Sequence, residues 1–363
     1  MTTLVAKSNR STLLILAVLL ILAVGGIAVW IGQLVNGLGG LGLSQQVVWG
    51  AYIAGFFATA GIGVGVLVLV GLNEFRPILD ASARPRLLEI TFACLVAAGL
   101  LISMDLGSLG NVWRIAFSGR FESPVVWDFY GVAAALIVAA VYWWTIRKAG
   151  PAQPQKTWGG IAIVVGVALV AFEVWLLAGQ AAHPYWRSVM SILSFPVASA
   201  LGAVAFAALV SKPERVPQVT RWLAIVLGLS LILLLVDALL TATSADSRTQ
   251  GEFQTMTSGG ASVYFWSYAL LGLVAPLLLV LVKPLSRVPV AVAAVLALLG
   301  VLVEKMLVLT VGQSEAWLTG SITPYAPAWS ELLGVVGILA IGGLIYLIAH
   351  RWVDGEATPP PVT

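Results

Sequence analysis

Ten apolar windows, each long enough to cross a hydrocarbon core of ~30 Å, recur along the chain. They cover residues 12–34, 47–72, 87–104, 125–146, 157–178, 188–210, 219–241, 262–282, 289–311 and 327–349. Backbone amides have no water to bind inside a bilayer, so each window must close its hydrogen bonds internally as a helix. The expected fold is an all-α polytopic membrane protein of about ten transmembrane helices. Sixty per cent of the residues are hydrophobic and the mean hydropathy is +1.00, far above a soluble domain. Residues 1–350 read as a single integral membrane domain, and 351–363, with its three consecutive prolines, as a disordered tail. The apolar run after Lys7 and Arg10 is too long for a secretion signal and lacks a small-x-small cleavage site, so it is read as a retained helix.

Orientation follows from the basic residues. Of the 19 Lys and Arg, all except Arg114, Arg120, Arg187, Arg248 and Lys305 fall at the N-terminus, in alternate loops (73–86, 147–156, 211–221, 283–288) or at the C-terminus. The positive-inside rule then places both termini in the cytoplasm. A formal net charge of +3 reflects these loops and does not indicate a nucleic-acid partner.

Spans two to five and six to nine read as two four-helix blocks, flanked by the first and tenth. The third and seventh spans each carry an Asp near the outer end (Asp105, Asp237), and the fourth and eighth each open on an aromatic pair (Val126-Trp127, Phe265-Trp266). Either an internal repeat about an axis along the membrane normal or coincident aromatic belts would produce this pattern.

Only 10% of the residues are charged, and an acid at mid-membrane costs ~2.5–3.5 kcal/mol on insertion scales. On this topology Asp105, Asp128, Glu173, Asp237, Glu304, Lys305 and Glu331 lie in the outer part of their helices, while Glu74 and Glu89 mark the cytoplasmic interface. The distribution suggests one polar chamber opening outward. Asp128 and Glu331 also have a plain reading as caps near helix N-termini. Glu304 and Lys305 are adjacent and do not face each other on a helix, so Lys305 is expected to pair across helices with Asp237 or Glu173. Asp105 and Glu173 end outward-running helices, where the dipole disfavours an anion, and these two are assigned to proton transfer.

The densest polar stretch, Met104 to Gly131, joins two spans and holds Asp105, Arg114, Arg120, Glu122 and Asp128. Trp49, Tyr52 and Phe56 fall on one helical face by the i, i+3, i+7 rule. Such an aromatic slot beside Asp105 and Tyr130 suits a quinone ring, with a carboxylate handling the proton and a phenol bonding the carbonyl. The two histidines, His183 and His350, fall on opposite sides of the membrane. They cannot share a haem, which b-type membrane cytochromes hold between paired histidines. With Cys94 the only cysteine, the chain is expected to bind no haem, no iron–sulfur cluster and no zinc.

Several short motifs occur in a fixed order. They are Asp105-Leu106-Gly107 with Ser123-Pro124-x-x-Trp127, then Pro184-x-Trp186-x-Ser188 leading to Ser199-Ala200-Leu201. Phe265-Trp266 with Gly272-x-x-x-Pro276, Gly312-Gln313, and Tyr325-x-Pro327 with Glu331 complete the set. In this order the chain resembles the NrfD/PsrC-like family, the haem-free membrane subunits of polysulfide reductase, tetrathionate reductase and related molybdopterin complexes. It departs from the family's usual Asp-Leu-Gly-Arg-Pro in having Ser108-Leu109.

The resemblance implies a menaquinone or ubiquinone site in the first block near the outer face. It also implies a ferredoxin-like iron–sulfur subunit and a molybdopterin catalytic subunit docked there, in the inner membrane of a prokaryotic cell. The combined reading is a membrane anchor and quinone-reactive subunit of a respiratory complex. Asp105 transfers protons with Glu173 as relay. Trp49, Tyr52, Tyr130, Trp127 and Asp128 form the pocket, and Arg114 or Arg120 meets the partner or the quinone oxygen. Two alternatives stand beside it: a secondary transporter, which would want a midplane site with matching broken helices, and a proton-translocating relative of the same family. The outer loop 242–261, rich in Ser, Thr and Gly, is expected to order only on a partner.

Overall fold

A computed structural model describes residues 2–107, 110, 112–150, 152–282, 286–315, 320 and 322–356, with backbone alone for 2–11, 112, 118 and 351–356. Ten helices are long and apolar enough to cross a membrane. They lie within α1 (Thr2–Asn36), α2 (Ala51–Asn73), α3 (Ala83–Asp105), α5 (Pro124–Ala149), α6 (Lys156–Ala178), α7 (Val189–Val210), α8 (Val216–Ala242), α10–α11 (Ser262–Trp266 and Ala275–Leu281), α12 (Arg287–Gln313) and α13 (Trp329–Glu356). Two short helices, α4 (Val112–Ser118) and α9 (Ser247–Thr257), lie between spans. A single bridge, Glu315 to Ile322, is the only extended pairing among the described residues.

Burial separates helices that hydropathy cannot. The first span is more apolar than the second, yet 11% of its apolar window is buried against 89% for α2. The difference lies in side-chain size. α2 presents Ala51, Ala54, Ala58, Ala60 and five glycines, which let neighbouring backbones approach where hydrophobicity gives no drive between helices. At Gly65 a Cβ would come 2.1 Å from the Ser199 carbonyl oxygen on α7. α2 is thus the central helix, touching α3, α6, α7 and α12. α2, α3, α5 and α6 pack together, as do α7, α8, α10–α11 and α12, the two groups meeting chiefly between α2 and α7; α1 packs on α13.

Local chemistry sets the helix ends. Ser123 in extended conformation and Pro124 in the first turn start α5, which ends on Arg147 and Lys148 before Gly150 at φ 93°; the cations suit the negative end of the helix dipole. The Ser188 hydroxyl accepts the Ser191 amide to start α7. Between α10 and α11 residues Ser267–Val274 widen into a π-helical segment, where Pro276 supplies no amide hydrogen and Gly272 meets Gly300 backbone to backbone.

Four expectations need correction. α2 begins at Ala51, so Trp49 lies in the preceding loop. Loop 242–261 is ordered within the chain itself: Asp246 accepts the Thr249 amide at 3.1 Å, Arg248 pairs with Glu315 at 3.4 Å, and Met256 is fully buried. Lys305 pairs with its neighbour, Nζ lying 2.8 Å from Glu304 Oε2, because a four-carbon stem can curl back although the two Cβ atoms diverge. Helix α13 runs through Glu356, past the expected start of the tail; 357–363 lie outside the described residues.

Three of the basic loops share one end of the bundle, the Lys212 amide donating to Asp80 at 2.8 Å to join the α7–α8 loop to the α2–α3 loop. There Glu74, closing α2, binds Arg84 and the Tyr142 hydroxyl and accepts the Gln155 amide at 2.7 Å. Arg84 in turn donates to the Gln153 carbonyl at 3.2 Å. One carboxylate therefore joins the α2–α3 and α5–α6 loops.

Candidate functional site

At the end opposite the basic loops, the last turns of α3, the first turns of α5 and the short helix α4 surround a cavity of about 290 Å³ against α2. Its wall includes Phe56, Ile102, Leu106, Ile115 and Phe129, and one ionisable group, Asp128. Asp128 is 3% exposed, and its Oδ1 is buried without a hydrogen-bond partner. A capping role does not use that oxygen. Leaving a buried carboxylate oxygen unpaired costs free energy, so such an atom on a cavity wall is suited to a ligand. Asp105 ends α3 one residue before Leu106.

Asp105 belongs to a second group of polar residues. The buried Tyr52 hydroxyl accepts a hydrogen bond from Gln33 Nε2 at 2.6 Å, and the charges that reach it are those of Glu331 and Asp105. Glu331 is fully engaged. It accepts the Gly42 amide at 2.6 Å, the Ala328 amide at 3.2 Å, the Ala51 amide at 3.3 Å and the Tyr325 hydroxyl at 2.5 Å. This carboxylate caps α13 as a capping-box acid does and pins the loop before α2 as well.

Glu173 on α6 is wholly buried, and neither carboxylate oxygen has a hydrogen-bond partner. Oε2 lies beside Gly61, where a Cβ would be 3.6 Å away, at ordinary van der Waals distance. The charges acting on it are Asp128 and Lys305, one on each side of the junction between the two groups.

Other expected pocket residues are used elsewhere. Trp49 stacks on Trp186 with ring centroids 5.2 Å apart, away from Tyr52, because leaving the helix breaks the i, i+3 relation. Trp127 Nε1 donates to the Phe121 carbonyl at 2.7 Å, and the Tyr130 hydroxyl donates to the Ala116 carbonyl at 2.5 Å; both brace the α4–α5 connection and neither lines the cavity. Arg114 lies over the neighbouring Trp113 ring at 5.7 Å. Arg120 pairs with Glu122 at 3.4 Å, both side chains largely exposed. The two arginines are surface groups and do not line the cavity.

Sequence reasoning gave no role to Gln313, which accepts the Val48 and Trp49 amides at 2.9 Å each and donates to the Trp49 carbonyl. Its signal was its place in the Gly312-Gln313 motif. His183 rests against the Gly312 carbonyl oxygen at 2.7 Å and the Trp186 ring; burial lowers its pKa and that hydrogen bond opposes the shift. His350 Nδ1 lies 3.5 Å from Glu89 Oε2. Among the described residues no three His, Cys, Asp or Glu side chains gather as a metal site.

The profile described as polysulphide reductase, NrfD, matches residues 40–315. This chain belongs to the NrfD family. The NrfD match spans α2 through α12, the whole of both helix groups, and leaves α1 and α13 outside. Among relatives, a putative membrane subunit of dimethyl sulfoxide reductase from Halobacterium salinarum is 26% identical over 404 residues, covering 95% of this chain and 92% of that protein. The Hdr-like menaquinol oxidoreductase integral membrane subunit of Archaeoglobus fulgidus is 24% identical over 368 residues, covering 92% and 91%. With ten candidate spans, this NrfD protein is a multi-pass protein of the prokaryotic cytoplasmic membrane. The family motif Asp105-Leu106-Gly107 forms the turn after α3, with Gly107 at φ 62°, a left-handed conformation that favours glycine; Ser108 and Leu109 lie outside the described residues.

Proposed function

We propose that this chain is the quinone-reactive membrane subunit of a respiratory molybdopterin oxidoreductase complex, working with an iron–sulfur subunit docked at the end opposite the basic loops. The basic end faces the cytoplasm by the positive-inside rule, with both termini on that side. The observation that carries the reading is the apolar cavity walled by a buried carboxylate with an unpaired oxygen. Its volume is near the lower end of the roughly 300–1,000 Å³ usual for ligand sites and fits a ring with its tail directed into lipid. The names of the two relatives, one a menaquinol oxidoreductase subunit and one a membrane subunit of dimethyl sulfoxide reductase, support the same class.

A bound quinone supplies two-electron, two-proton redox chemistry. Phe56, Ile102 and Phe129 exclude water from its ring, and Asp128 stands ready to accept or return a proton at the oxygen that now lacks a partner. Asp105, beside Leu106, serves protons at the edge of the cavity, and Glu173 relays them behind Asp128. Tyr52 holds the α1–α2–α3 corner through Gln33 without lining the cavity. Arg114 and Arg120 meet the acidic surface of the iron–sulfur partner.

Fluorescence quenching of the purified complex by a short-chain naphthoquinone tests the assignment. Saturable quenching, weakened at least tenfold when Ile102→Trp fills the cavity, is the expected result. Equal quenching in both proteins would move the site elsewhere.

A further inference from the structure

The second helix group holds buried polar residues that quinone contact does not use. Tyr185, Ser191, Ser194, Ser230, Asp237 and Glu304 line a small chamber of about 40 Å³. One water needs roughly 10–15 Å³ by this measure, so about three or four fit, and the walls supply the polar partners they need. Glu304 is 3% exposed; its Oε2 meets Lys305 Nζ at 2.8 Å while Oε1 has no partner, and the Ser191 hydroxyl is buried without one. Both residues line the chamber, and their unpaired oxygens suit water.

The chamber has two neighbours. Toward the first group, Glu304 meets Lys305 Nζ at 2.8 Å, the ammonium lies 3.5 Å above the Phe195 ring, and its charge reaches Glu173. Toward the surface, the Tyr185 hydroxyl donates to Asp237 Oδ2 at 2.8 Å, and Asp237 acts electrostatically on Glu252. Glu252 sits on α9, outside the spans, among Arg248, Asp246 and Glu315.

We propose that these groups form a lateral proton route across the second helix group. It runs in the order Asp128, Glu173, Lys305–Glu304, the chamber, Tyr185–Asp237 and Glu252, and joins the cavity to the surface at α9. The inference rests on the quinone reading above. For each hydroquinone oxidised to quinone, the two electrons leave to the iron–sulfur partner and protons pass along the route; quinone reduction runs it in reverse. The route lies parallel to the membrane and ends on the same face, so it moves no charge across the bilayer. It also separates proton exchange from the surface that α4, Arg114 and Arg120 offer to the partner.

The intact complex, with menadiol as a tail-less donor, decides the matter through Glu304→Gln and Tyr185→Phe. Expected are turnover at least tenfold slower, a larger solvent deuterium isotope effect, unchanged quinone affinity, and recovery of most activity in Glu304→Asp. Should Glu304→Gln fail to assemble, Glu252→Gln near the surface tests the exit and should raise the isotope effect in the same sense. Wild-type turnover and isotope effect in assembled variants that still bind quinone would overturn the route alone. A wild-type complex that binds no quinone removes the quinone reading and the route with it.

Discussion

Trp49 and Trp186 lie nearly parallel, 18° between planes and 5.2 Å between centroids, and this stack joins the loop before α2 to the turn before α7. Trp186 Nε1 also donates to the Val308 carbonyl of α12 at 2.9 Å. The pair therefore ties the first helix group to the second at the end where the cavity opens.

Removing that tie should be costly. Trp186→Ala is expected to lose about 3–5 kcal/mol, the usual range for a buried Trp truncated to Ala, and Trp186→Phe less, since it mainly leaves a buried carbonyl unpaired. Gly312→Ala should destabilise too, because a Cβ there would sit 2.0 Å from Trp186 Nε1. Thermal unfolding in detergent measures all three; a Gly312→Ala protein as stable as wild type would contradict the packing described.

Asp128→Asn keeps the size of the side chain and removes its proton chemistry. Quinol-linked turnover should fall about 10²–10⁴-fold with assembly of the complex intact. Asp105→Asn should also slow turnover, but less than Asp128→Asn, because Asp105 is not on the cavity wall. Steady-state kinetics on the two variants checks the order, and the reverse order would return the main role to Asp105.

Glu252 gives a pH signature outside the membrane spans. Burial, then the charges of Asp237 and Glu315, push its pKa from 4.5 to about 7 against the pull of Arg248. Between those values the folded protein holds a proton the unfolded chain has released, so stability from this group is present below pH 4.5 and lost as pH rises through about 7. The unfolding temperature should drop over that window, and Glu252→Gln should flatten the drop. A slope unchanged by the substitution would assign the effect to other groups.

At the basic end, Arg84→Ala strands Glu74 with Tyr142 and the Gln155 amide but without its cation. Breaking a buried pair from one side costs about 3–5 kcal/mol, whereas the exposed Arg120–Glu122 pair should contribute at most about 1 kcal/mol. Chemical denaturation of Arg84→Ala and Arg120→Ala compares them directly, and equal effects would contradict the burial seen at Glu74.

Much of this was readable in the residues because it follows from solvent transfer and backbone chemistry. Ten apolar windows could only become helices, Ser123-Pro124 could start α5, and alternating basic loops mark one end. The motif order from Asp105 to Glu331 carried the family. Asp128 was legible as a costly anion with either a capping or a pocket role, since charge in a span needs a purpose wherever it points.

Roles that depend on direction were not legible. Trp49 looked like a face-mate of Tyr52 until α2 started two residues later and sent its ring to Trp186, 137 positions away. Lys305 and Glu304 pair through flexible stems that helical spacing does not constrain. Loop 242–261 is polar by composition yet folds into α9, because Asp246 caps it and Met256 finds a core built from α8 and α12. By itself the sequence determined how many times the chain crosses the membrane, which end is basic and which acids lie within the spans, since each is a local transfer or propensity effect. Only tertiary structure decided which acid walls a cavity and which aromatic closes a loop, because that depends on how closely glycine-bearing helices such as α2 approach their neighbours.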